Sequence, residues 1–251
     1  MPTRRLRSRQ AGMTLIEIMI ALLIGAFLLG GILQIFINTK QTYRMQEGLS
    51  RLQENGRFAM DFLARDIRMA GYWGCLSPIS PNVDIAGTND NTASGDSIDD
   101  GTDTITLKGA FVQIPTGACG GSVDTTATYY THASSSITYK INNGTLQQDT
   151  NGENNELIEG IENMQILYGE DTDADGVPNY YVDAATIANM SQVISIRISL
   201  LARTIEDNLA AQPVPYSFNG TDVEPGDGTH PDDRRLRRVF TSTIALRNRL
   251  P

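Results

Sequence analysis

Residues 12–37 read GMTLIEIMIALLIGAFLLGGILQIFI. From Ile18 to Leu33 every residue is apolar or glycine, and only Thr14, Glu17 and Gln34 interrupt the wider run Met13–Ile37. As a helix, 25 residues rising about 1.5 Å each reach roughly 38 Å, more than the about 30 Å of a bilayer's hydrocarbon core. Arg4, Arg5, Arg7 and Arg9 precede the run with no acidic residue among them. The positive-inside rule therefore places the start in the cytoplasm and the rest of the chain outside. A secretory signal shares the basic front, but its apolar run is about 7–15 residues and ends at a small-x-small processing site. Gln34–Thr42 offers no such site. A retained membrane anchor is the better reading.

Outside this segment the balance is acidic. The 251 residues carry 20 Lys+Arg and 29 Asp+Glu, a net charge of −9. Without residues 1–12 the count is 16 basic against 29 acidic groups, or −13. Such a surface argues against a protein that coats nucleic acid, and no nucleic-acid partner is expected. Two cysteines and two histidines leave little for zinc or Cys–His chemistry. Phosphate-loop, Gly-x-Ser-x-Gly and His-Glu-x-x-His patterns are absent, so the chain does not read as an enzyme.

Glu17 is the costly residue of the apolar run. A carboxylate at mid-membrane costs about 2.5–3.5 kcal/mol on insertion scales, although near the edge it can reach headgroup water. Its surroundings bear on that choice. Gly12-Met13-Thr14-Leu15-Ile16-Glu17, after a basic leader and before an apolar helix, resembles the type IV prepilin processing motif. The resemblance implies that a prepilin peptidase cuts between Gly12 and Met13 and that Met13 becomes the N-methylated first residue. Met13 departs from the family's usual Phe. A new α-amine, with a pKa near 8, is mostly cationic at neutral pH. Facing Glu17 of a neighbouring helix, it would offset the desolvation of that carboxylate and fix the axial register. Glu17 is thus expected to be an assembly contact.

Beyond the anchor, Met45, Leu49, Leu52, Ala59, Leu63 and Ile67 keep helical spacings of 3, 4 and 7, with charged residues on the other faces. No proline occurs between Met13 and Ala70, which predicts one helix of roughly 87 Å. Gly25, Gly30, Gly31, Gly48 and Gly56 are expected to soften it. After Gly71 the composition turns to Gly, Thr, Asp, Asn and Ser with short β-like runs. Strands are predicted at Thr104–Val112, Ile161–Tyr168, the alternating Ile194–Leu200 and Val239–Leu246. A hairpin is predicted at Ile137–Gln148 about Asn142-Asn143-Gly144. Gly87–Asp103 and the proline-bearing Asp207–Asp233 read as loops. The fold class is α+β, pilin-like: a long N-terminal α-helix packed on an antiparallel β-sheet head. Its divisions are leader 1–12, transmembrane or filament-core helix 13–37, amphipathic continuation 38–70 and β-rich periplasmic head 71–251.

Three later marks, Gly71-Tyr72-Trp73-Gly74-Cys75, Leu167-Tyr168-Gly169 and Val239–Asn248 (VFTSTIALRN), together with the leader, resemble the PilW-type minor pilins. That resemblance implies a scarce subunit in the bacterial inner membrane and then in the pilus or at its tip. Its implied partners are other minor pilins, the major pilin and a tip adhesin, with which it helps initiate pilus assembly. A type II secretion minor pseudopilin shares the same plan. A membrane-anchored calcium-dependent binding module is a rival of another class.

Two further sites are candidates. Asp171-Thr172-Asp173-Ala174-Asp175-Gly176 repeats the Asp-x-Asp-x-Asp-Gly opening of calcium loops, with Val177 offering a carbonyl and Asn179 a side-chain oxygen. Position twelve is Val182 rather than Glu, with Asp183 next, and the flanks read as strands rather than EF-hand helices. The ordinary alternative is a solvated acidic turn. Cys75 and Cys119, outside the cytoplasmic membrane, are expected to form a disulfide. Arg234–Arg238 reads as charge balance for acidic loops, and Asn143-Gly144-Thr145 and Asn219-Gly220-Thr221 as chance sequons.

Overall fold

The computed structural model describes residues 12–72, 84–90, 98–109, 136–150, 152–224 and 232–249. Helix α1 spans Leu15–Met69 without a break, within two residues of the expected bounds. Two units divide the chain, Met1–Gln46 and Glu47–Pro251. In the first, α1 is long and apolar enough to cross a membrane. Its large side chains are bare within the chain, Leu15 at 77% and Phe27 at 85% exposure, so lipid or other helices must cover them.

The second unit contains the remaining turns of α1 and eleven strands among the described residues. Strands β1 (Ile85–Thr88), β2 (Thr104–Lys108), β3 (Ser136–Asn142), β4 (Thr145–Thr150) and β5 (Glu153–Glu159) form one sheet in that order. Strands β6 (Ile161–Glu170), β7 (Tyr180–Val182), β8 (Val193–Arg203) and β11 (Arg237–Ala245) form a second, ordered β11-β8-β6-β7. A small hairpin pairs β9 (Tyr216–Phe218) with β10 (Thr221–Val223). Every pairing is antiparallel. The head is thus built on two sheets and a hairpin rather than the single sheet expected. One core joins Leu52, Ala59, Leu63 and Ile67 of α1 to Ile105, Tyr139 and Leu146 of the first sheet and Ile166, Ile196, Ile198 and Ile244 of the second.

The glycines of the helix's second part are contact points rather than soft spots. A Cβ on Gly56 would lie 2.2 Å from the Phe240 ring on β11, and one on Gly48 would lie 2.6 Å from Leu209. Their missing side chains let the helix approach β11 and the loop after β8 closely. Polar ties fix its rotation. The Tyr139 hydroxyl donates to Asp66 at 2.6 Å, Gln148 donates to that hydroxyl at 2.9 Å, and Arg65 donates to Asp66 at 2.9 Å. Burial, reinforced by the Asp66 carboxylate, pushes the Tyr139 hydroxyl far above its ordinary pKa.

The β3–β4 turn is tighter than predicted. Asn142 pairs with Thr145, leaving Asn143 and Gly144 alone in the turn at φ 52° and 67°. Two left-handed residues are what a type I′ turn requires. Both sequons have this character, since Asn219 and Gly220 turn β9 into β10 at φ 50° and 77°. The Arg234–Arg238 run supplies internal ties as well as the expected charge balance. Arg237, 2% exposed in its side chain, lies between Glu162 at 2.7 Å and Asp233 at 2.7 Å, while Arg235 donates to the carbonyls of Thr204 and Ile205.

Candidate functional site

At the start of α1, Gly12, Met13 and Thr14 are exposed and precede the helix. The Thr14 carbonyl accepts the N–H groups of Glu17 (3.1 Å) and Ile18 (3.3 Å), which begins the helical ladder. Glu17 sits in the first turn, where the helix dipole favours an anion. No hydrogen bond or ion pair reaches its carboxylate among the described residues. Neighbouring Leu15, Ile16 and Ile18 are 77%, 66% and 45% exposed. A lone carboxylate on an uncovered apolar helix is suited to a partner that brings both hydrocarbon and a cation.

The acidic loop joins β6 to β7 and is rooted by Glu170. That fully buried residue accepts from the Tyr180 hydroxyl and the Asn189 N–H, each at 2.8 Å. Oxygens of Asp171, Asp173 and Asp175 lie within 4.8 Å of one another. Asp171 accepts the N–H groups of Ala174 (2.7 Å) and Gly176 (2.8 Å), with Gly176 at φ 83°. Partial burial pushes the Asp171 carboxyl up, but these N–H donors outweigh it and hold the group below its ordinary range. Two of the six expected ligands have other work. The Asn179 side-chain oxygen accepts from the Thr172 N–H (2.7 Å) and hydroxyl (2.9 Å), and Asp183 accepts the Thr186 N–H at 2.8 Å. Val182, the twelfth position, pairs with Tyr168 in the sheet. The return strand, unlike an EF-hand's second helix, carries that position away from the loop. Three carboxylates remain that could hold a hard cation with added water or a backbone carbonyl.

The other motifs shape the head. Tyr168 is fully buried, its hydroxyl without a partner among the described residues, with Gly87 leaving the room it needs: a Cβ there would be 1.9 Å away. Gly169 makes way for Tyr181, Ser195 and Pro178, which a Cβ would meet at 2.4–3.0 Å. Residues 239–245 of the last motif lie in β11, and beyond it Asn248 donates to the Ala70 carbonyl at 2.9 Å, satisfying a backbone group at the end of α1. Arg249, next in the chain, pairs with Asp84 at 3.0 Å and donates to Val193 O at 2.9 Å. Neither Asn248's nor Arg249's role showed in the sequence, because their partners are more than a hundred and fifty residues away, apart from the Met190 and Val193 carbonyls at 59 and 56. Cys75 and Cys119 lie outside the described residues.

A family model for Type IV Pilus-assembly protein W matches residues 128–248, and one for the prokaryotic N-terminal methylation motif matches residues 7–33. Over these residues the chain is similar to the PilW-type minor pilins and to N-methylated pilin starts. No curated protein matches it. Among solved structures, a type IV-like pilin from Thermus thermophilus is similar at 18% identity and TM-score 0.45, over 80% of this chain and 98% of that one. A chain of the GspK–GspI–GspJ complex from the type 2 secretion system of enterotoxigenic Escherichia coli is similar at 13% identity and TM-score 0.35, over 80% and 97%. The methylation-motif match includes Gly12, Met13 and Glu17. The PilW match includes the second sheet, the acidic loop and Asn248.

Proposed function

We propose that this minor pilin is a structural subunit, not an enzyme, that helps initiate pilus assembly and sits in the pilus or at its tip. Prepilin peptidase cuts between Gly12 and Met13, Met13 is N-methylated, and the new amine pairs with Glu17 of an adjoining subunit. Before assembly the chain spans the inner membrane once, with residues 1–12 cytoplasmic and the head periplasmic. Its partners are other minor pilins, the major pilin and a tip adhesin. The carrying observation is the lone, exposed Glu17 carboxylate in the first turn of a bare apolar helix, directly after Gly12-Met13.

Glu17→Ala is expected to leave membrane insertion intact and reduce the subunit's recovery in sheared pili. Undiminished recovery would refute the pairing. Mass spectrometry of the native chain should find Met13 as its first residue; a chain still carrying residues 1–12 would refute the processing. Recovery with a type II secretion pseudopilus instead of pili would favour the pseudopilin assignment.

The three convergent carboxylates support a second element of this reading: calcium stiffens the 171–179 loop. Calorimetric titration of the full chain in detergent should show calcium heat that Asp173→Ala abolishes, and no heat in the parent would remove it. The same reading includes a Cys75–Cys119 disulfide, which two alkylatable thiols in the unreduced chain would exclude.

A further inference from the structure

Four Asn-Gly pairs occur, at Asn55-Gly56, Asn143-Gly144, Asn151-Gly152 and Asn219-Gly220; the first lies within α1, whose backbone ladder takes the Gly56 N–H, and the structure treats the other three unequally. The chemistry of interest is ring closure. The Gly nitrogen gives up its proton to solvent base and bonds to the Asn side-chain carbonyl carbon, and the amide nitrogen leaves as ammonia. Water then opens the cyclic imide at either carbonyl, giving Asp or isoAsp, with no oxidant or cofactor consumed. The rate depends on the freedom of that one backbone nitrogen and on how often the turn opens.

At two pairs a carboxylate holds this nitrogen. Gly144 N–H donates to Asp99 Oδ2 at 2.8 Å while Asn143 N–H donates to Oδ1 at 2.8 Å. Gly152 N–H donates to Asp149 at 2.7 Å. An anion at that distance opposes loss of the N–H proton and fixes the nitrogen's direction. The Gly144 turn is also pinned through its carbonyl, which accepts the N–H groups of Gly160 and Ile161, and it lies inside a five-stranded sheet. At the third pair no carboxylate takes the Gly220 N–H among the described residues. Both turn residues are exposed, and nothing lies within 4 Å of a Cβ position on Gly220. The strands β9 and β10 have three residues each and form a sheet of two, the kind least able to stay closed alone.

We infer that Asn219 is a site of spontaneous conversion to aspartyl and isoaspartyl forms, and that Asp99 protects Asn143 from the same fate. The tripeptide Asn-Gly-Thr is identical at both places, so the difference comes from the fold. Conversion also has a structural consequence. Asn219 Nδ2 donates to Gln165 Oε1 at 3.3 Å, and the Gln165 amide nitrogen is already committed to Asp90 at 3.1 Å and Gly101 O at 3.0 Å. A carboxylate at 219 would face an oxygen that cannot turn away, and the hairpin tip would leave β6.

The test is incubation of the full chain, in detergent micelles and mildly alkaline buffer, followed by peptide mapping for the unit mass gain and by enzymatic methylation of isoaspartate. The Asn219 peptide should convert about tenfold or more faster than the Asn143 peptide in the folded chain, and at a similar rate in denaturant. Equal rates in the folded chain, faster conversion at Asn143, or no conversion at Asn219 while the denatured chain reacts would overturn the inference. Asp99→Ala should raise conversion at Asn143 and leave Asn219 unchanged; an unchanged Asn143 rate in that folded variant would overturn the protective role.

Discussion

Arg249→Ala should be among the most damaging single changes in the head. The Arg249 and Asp84 side chains are 4% and 3% exposed, so deleting the guanidinium leaves a buried carboxylate without its cation and removes a donor from the Met190 and Val193 carbonyls. Removing one partner of a buried pair costs about 3–5 kcal/mol, which for a unit of this size corresponds to a Tm lower by about 6–20 °C. Arg51→Ala supplies the control. Its N···O distance to Glu47 is 2.8 Å, close to the 3.0 Å of Arg249 Nε to Asp84, but the two side chains are 61% and 46% exposed; the expected cost is under about 1 kcal/mol. Urea and thermal melts of the full chain in micelles, followed by circular dichroism, compare the two. The double variant Asp84→Asn, Arg249→Met should recover much of the loss, since removing both charges spares the desolvation penalty. If Arg249→Ala melts with Arg51→Ala, or if the double variant is as unstable as the sum of its parts, burial is not what gives the pair its weight.

Three further outcomes follow from the packing. Gly56→Ala, which on an exposed helix would stabilise by about 1 kcal/mol, should instead lower the urea midpoint, because the new methyl meets the Phe240 ring; a raised midpoint would contradict the close approach. Tyr168→Phe should be neutral or stabilising within about 1 kcal/mol, since the hydroxyl it removes is buried without a partner among the described residues; Gly87→Ala should destabilise, and less so in the Tyr168→Phe background. Burial lifts the Asp103 carboxyl to about 6 against the opposing pull of the Asp90 and Ile166 N–H groups. Its folded pKa exceeds the unfolded one, so its contribution to stability is fully present below about 4 and lost as pH rises through about 6. A carboxyl NMR titration of Asp103 with a midpoint near 4 would refute this.

The helix was legible from Leu15 to Met69 because apolar spacing persists without proline, and β8 because its isoleucines alternate with polar residues. What escaped were elements whose identity is decided by their neighbours. Strand β5 (ENNELIE) is acidic because it is a sheet edge, where charge deters further pairing, and so it lacks an apolar alternation. Strands β1, β7, β9 and β10, of three or four residues, are too short to show a period. At the acidic loop the Asp-x-Asp-x-Asp-Gly spacing correctly brought three carboxylates together. It could not show that Asn179 and Asp183 would be taken by Thr172 and Thr186, since those bonds depend on the return into β7. The glycines at 48 and 56 were misread as weaknesses for a related reason: their partners, Leu209 and Phe240, lie far along the chain.

Asn248 closes the end of α1 by bonding to a carbonyl 178 residues earlier, and Phe240 seats against Gly56. A growing chain therefore carries the bare flank of its helix through the synthesis of nearly the whole head before the covering strand is available. Contacts this distant make for slow closure, and the waiting intermediate is sticky. An escort protein, or a sister subunit lending its own surface for the interval, would spare such half-finished chains from clumping.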